Sequence, residues 1–148
     1  MIKNPKIDSA LHILKGAVQK VLGAELTTNV YEEGNKGRLT VEFNRKPTIE
    51  ETKEIEDQTN NKIKENLLVE TIEIGRNEAE KKFGSIIYDK FPVPKHIKKL
   101  KIIKINDWNV NCCIGNHVKF TSEIGKLKVN KIRFRNTRNE LEISFSVE

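Results

Sequence analysis

The chain has 148 residues, and its 27 Lys and Arg against 21 Asp and Glu give a formal charge of +6. That length holds about one domain and buries a core without disulfides or a structural metal, so any bound metal is expected to serve a purpose other than holding the fold together. No apolar run is long enough to span a membrane and no signal peptide opens the sequence. The two cysteines, adjacent at positions 112 and 113, exclude a disulfide framework. A soluble, reducing, cytoplasmic setting is expected, and the charge gives modest support to a nucleic-acid partner while also serving plain solubility.

In chain order, Met1 to Lys6 reads as an edge strand or an arm. From Ser9 to Leu22 the apolar residues Leu11, Leu14, Val18, Val21 and Leu22 recur at helical spacing, with Asp8 as the expected cap and Gly23 at the stop. Glu25 to Tyr31 and Arg38 to Asn44 read as a strand pair, the second alternating Leu39, Val41 and Phe43 with polar residues. The intervening Gly34-Asn-Lys-Gly37 offers backbone N–H groups and a cation, so Lys36 and Gly37 are candidate phosphate contacts. A plain glycine turn explains them equally.

Thr48-Ile-Glu-Glu51 is a capping box opening a helix to about Leu67, with Ile49, Ile55 and Ile63 expected inward. Leu68 to Ile74 alternates as a strand, Arg76 to Phe83 reads as a short helix ending at Gly84, and Pro92 and Pro94 make Ser85 to His96 an irregular connector. Leu100 to Ile105 reads as a buried strand. Its flanking Lys98, Lys99, Lys101 and Lys104 face a phosphate backbone or simply water. Lys126 to Arg135 and Leu141 to Val147 are two strands joined by a turn at Asn136 to Asn139. With no repeat and no linker, residues 1–148 are expected to form a single α+β domain, two main helices packed on a largely antiparallel sheet.

The chemistry concentrates in Cys113-Ile-Gly-Asn-His117, where a thiol and an imidazole, ligand types that suit zinc, stand four positions apart. His12 follows Asp8 by four residues on one helix face. Asp8, His12, Cys113 and His117 thus form two short-spaced pairs that close a tetrahedron or leave an open position. Each also has an ordinary role: Asp8 as a helix cap, Cys113 as a small buried apolar group, the histidines as satisfied polar groups at the edge of a core. Adjacent Cys112 and Cys113 admit a redox or metal-regulatory reading too, although neighbouring cysteines chelate poorly.

The run Asp8-Ser-Ala-Leu-His12 leading to Gly23 resembles the first editing motif of alanyl-tRNA synthetase and its free-standing editing relatives. Cys113-Ile-Gly-Asn-His117-Val-Lys-Phe-Thr121-Ser-Glu123-Ile-Gly125 resembles the second. Gly34 to Gly37, Phe83-Gly84, Tyr88-Asp89, Phe91-Pro-Val-Pro94 and Asp107-Trp-Asn-Val-Asn111 extend the resemblance over nearly the whole chain, and it is closest to the short AlaX form. The resemblance implies an α+β editing-domain fold and a trans-editing hydrolase that removes serine, and glycine in second place, from alanine tRNA. It implies one Zn2+ per chain held by His12, Cys113 and His117, and the tRNA acceptor end as partner, with neither DNA nor membrane. Lys36, Gly37 and Thr121 are its candidate substrate contacts, and no catalytic residue beyond the metal site is assigned. The family carries histidine where this chain has Asp8, whose carboxylate ligates zinc at nearly the same length or caps the helix. Ile114 and Ser122 stand where relatives carry glycine. The competing expectation is a degenerate tRNA-binding module of the same fold without metal or turnover.

Overall fold

The computed structural model describes residues 4–148. Its organising element is α1 (Pro5–Leu22), in which every residue from Ile7 to Val18 is buried. A helix covered on all sides has no wet face for charges, so the polar residues within it, Asp8, Ser9, His12 and Lys15, need partners of their own. Asn4 caps α1 by accepting from Lys6 N at 3.0 Å, and Pro5 supplies a preset helical φ at the first position. The expected start at Ser9 with Asp8 as cap is therefore corrected by about one turn. Asp8 lies inside the helix, and its carboxylate is not the cap. Lys6, read as part of a strand or arm, is helical, and residues 1–3 of that arm lie outside the described residues.

The strands divide between two antiparallel sheets. One has the order β1 (Thr27–Glu33), β2 (Lys36–Glu42), β7 (Glu140–Val147), β6 (Leu127–Arg135). The other is β3 (Val69–Gly75), β4 (Lys99–Ile105), β5 (Asn109–Cys112). Only Gly34 and Asn35 separate β1 from β2, and Gly34 takes the positive φ, 59°, that a two-residue hairpin turn requires. In the register Leu39 faces Ile143 and Val41 faces Leu141, so one face of this sheet is aliphatic and packs on α1 and α2 (Ile49–Lys64) in the main core.

The second sheet is central in a different sense. Along β4, Ile103 and Ile105 enter the main core, whereas Leu100 and Ile102 enter a smaller one with Ala79 of α3 (Arg76–Phe83) and Ile87. A strand buried on both faces reads as a nearly continuous apolar run, which is how Leu100 to Ile105 reads. The capping box at Thr48 and Glu51 forms as its residues dictate. Ile49, expected inward, is 86% exposed; at about 100° per residue it lies about 120° around α2 from Ile55, on the solvent side.

Candidate metal centre

Trp108, in the turn between β4 and β5, fixes α1 against the second sheet. Its indole Nε1 donates to Ile13 O at 3.0 Å, and its ring occupies the space at Gly16, where a Cβ would come within 2.4 Å of the same nitrogen. Gly16 is thus the residue that lets the indole reach the helix backbone. The next residue, Asn109, faces His12, accepting from His12 Nδ1 through Oδ1 at 3.0 Å. An amide oxygen only accepts, which assigns the proton to Nδ1 and leaves Nε2 as the donor atom for a ligand. Burial above all, then the charges of His117 and Lys15, holds the His12 imidazole down to about 3 against the raising effect of Asn109, so it is neutral in any ordinary buffer.

After β5 the chain turns through an irregular loop that is pinned at four places. Cys113 N donates to Lys101 O at 3.1 Å and Val69 N donates to Lys119 O at 2.8 Å. Lys101 Nζ donates to Gly115 O at 2.9 Å, and Val118 N donates to Ser9 Oγ at 2.9 Å while that hydroxyl donates to Pro5 O. The last contact ties the loop directly to the first turns of α1. As a result one ligand atom each of His12, Cys113 and His117 lie within 4.8 Å of one another, and the two imidazole centroids stand 4.9 Å apart. Two nitrogens and one sulfur, on a helix and an anchored loop, make a donor set that fits zinc.

Asp8 belongs to the same neighbourhood but not to that group of three. Its Oδ2 lies where a Cβ on Gly115 would come within 2.8 Å, so Gly115 makes room for the carboxylate beside Cys113. A cavity of about 90 Å³ opens alongside, with Asp8, His12, Cys113, Lys15, Asp89 and Asn111 among its walls. Lys15 and Asp89 form an ion pair there, and Asn111 Nδ2 donates to Asp89 Oδ1 at 3.2 Å and to Ile87 O at 2.9 Å. Cys112 lines the cavity as well, but burial and the nearby Asp89 push its thiol up to about 11, keeping it protonated and a poor ligand.

Residues 100–140, the stretch that carries Cys113 and His117, match the family described as "Threonyl and Alanyl tRNA synthetase second additional domain". Over 124 residues, 83% of the chain, the sequence is 40% identical to the alanine–tRNA ligase of Methanococcus aeolicus, and over 126 residues, 82% of the chain, 38% identical to that of Hyperthermus butylicus. The chain belongs to the alanyl-tRNA synthetase editing-domain family. It covers 13% of the length of each of these two relatives.

Three further residues singled out in the sequence of this editing domain line no part of the cavity. Gly37 is buried in β2, where a Cβ would come within 2.5 Å of the Phe145 ring, so its lack of a side chain serves packing. Lys36 is exposed at the start of the same strand. Thr121 is fully buried; its hydroxyl accepts from Leu67 N at 2.8 Å and donates to Lys62 O at 2.9 Å, latching the end of α2 to the loop. That commitment to the backbone removes it from substrate contact. Ser9, Asn109, Lys15, Asp89 and Asn111 build the site and were not expected from the sequence. The Asp107-Trp-Asn-Val-Asn111 run was the one visible signal of any of them.

Proposed function

We propose that this editing domain hydrolyses the ester joining a wrong amino acid to alanine tRNA, at a zinc held by His12, Cys113 and His117. The observation that carries the reading is the gathering of those three donors beside a small cavity, with His12 Nδ1 held by Asn109. Three protein ligands beside an open cavity is the pattern of a catalytic rather than a structural zinc. A zinc there supplies a Lewis acid for the ester carbonyl or for water.

The chain's own residues supply the rest. Asp8, outside the group of three but against the Cys113 turn, is placed to accept a proton as the ester is attacked. The cavity walls at Leu11 and Leu39 admit an aminoacyl group of serine or glycine size. Asp89 Oδ1 is occupied by Lys15 and Asn111, whereas its Oδ2 accepts no hydrogen bond among the described residues. That oxygen is available to an α-ammonium or a serine hydroxyl. A second site of this kind answers a known weakness of synthetase pockets, which reject poorly an analogue that merely adds a hydroxyl. The reading places the protein in the cytoplasm with the acceptor end of the tRNA; among the described residues no helix is long and apolar enough to cross a membrane.

The test is metal analysis of freshly purified protein together with release of serine from seryl-charged alanine tRNA. About one zinc per chain and turnover are expected, and a metal-replete preparation without turnover, beside a working positive control, would sink the proposal. An Asp8→His variant that alone gains zinc and activity would instead identify the natural chain as a degenerate binding module.

A further inference from the structure

Beside the metal centre lies a second, larger hollow of about 400 Å³, which shares Asp89, Cys112 and Cys113 with the site. Its two lips carry Phe91 and Ile114, 74% and 92% exposed. Large apolar side chains left this open on a charge-rich surface are unusual, and here both border a single groove. The backbone beneath each is held by a cation. Arg76 donates through its guanidinium to Val93 O at 2.9 Å, Pro94 O at 2.7 Å and Ile97 O at 3.0 Å, fixing the Pro92–Pro94 loop. On the other side Lys101 Nζ holds Gly115 O. The lips are therefore preorganised, and their exposure is not fraying.

The charge around the groove is one-sided. From position 90 to 99 the chain has four lysines and no carboxylate; Lys90 pairs with Glu42 and Lys99 lies 3.7 Å from Glu73, whereas Lys95 and Lys98 have no ion pair among the described residues. An aromatic platform with adjacent cations suits an unpaired nucleotide: the ring stacks on a base and the ammonium groups meet phosphate. An apolar peptide would use the platform but not the charge.

We propose that the groove between Phe91 and Ile114 seats the unpaired terminal nucleobase of the RNA, so that its ribose ester reaches His12, Cys113 and His117. The inference rests on the hydrolase reading above, and its test reads binding without turnover. Two uncharged acceptor-stem RNAs, one with an intact 3′-terminal nucleoside and one with an abasic sugar at that position, are titrated by fluorescence anisotropy at fixed salt. Removing the base is expected to weaken binding to the natural protein by roughly 5- to 100-fold. The same change should cost Phe91→Ala under about twofold, with Phe91→Trp restoring the effect. Both variants change an exposed side chain and are checked for native circular dichroism.

A base effect below about twofold in the natural protein, an equal effect in Phe91→Ala, or no binding of either RNA overturns the proposal. Deacylation of seryl-charged RNA is measured separately. A lost base effect with turnover intact removes the groove and leaves the hydrolase, whereas a base effect without turnover supports the groove and removes the hydrolase.

Discussion

His12 and Asn109 stand 97 positions apart, and the hydrogen bond between them does the work of an outer ligand shell by fixing both the tautomer and the ring direction. Asn109→Ala should therefore weaken metal binding by about 10- to 100-fold without removing a ligand, a loss measurable by chelator competition. Cys113→Ser should lose stoichiometric metal and the sulfur-to-metal charge-transfer band of a cobalt-substituted sample, while Cys112→Ser keeps both, because the Cys112 thiol stays protonated. The ligands themselves were legible because chelation demands short spacings on a helix and a loop. Asn109, Lys15 and Asp89 were not, since their roles arise only when distant segments meet, and no local pattern encodes that meeting. Thr121 misled for the converse reason: a hydroxyl in a motif reads alike whether it faces a substrate or, as here, the end of a helix.

At the scale of elements, the second helix was readable from its capping box, which supplies its own partners within four residues. The start of α1 was not, because Asp8 and Asn4 are both good caps and the choice fell to Pro5, which fits the first helical position. The same local logic yields a pH prediction. Glu51 accepts two bonds from Arg45, at 2.7 and 2.8 Å, and one from Thr48 N at 2.9 Å. Arg45 first, and then Thr48, hold its carboxyl down to about 2 in the folded chain. The unfolded chain binds that proton near the ordinary value of about 4.3, so the stabilisation is complete above that pH and disappears as pH falls toward 2. Glu51→Gln should accordingly be less stable than the natural protein at pH 6, with the difference shrinking in urea melts taken toward pH 2. Thr48→Ala should cost about 0.5–2 kcal/mol across the range.

For the molecule as a whole, the aliphatic core formed by α1, α2 and both sheets contains no metal ligand other than the partly buried Cys113 packed against it. Folding is thus separable from metal binding. Chelator-treated protein should keep its far-ultraviolet circular dichroism, while saturating zinc raises its melting temperature through preferential binding to the folded state; about 2.7 kcal/mol is expected at a free zinc concentration one hundred times Kd. Collapse of the spectrum on chelation would contradict the separation. The general α+β architecture was visible in the alternation of apolar residues, but the division into two sheets was not. Nothing in the run from Leu100 to Ile105 says that its two faces enter different cores. Gly16→Ala tests the junction between them, because it forces the indole away from α1 and should destabilise by about 1–3 kcal/mol. The chain has one tryptophan, and it is the wedge at that junction, one helical turn from a proposed ligand. Its emission is therefore a built-in optical gauge of whether the helix is seated, readable without any label and before a single turnover is measured.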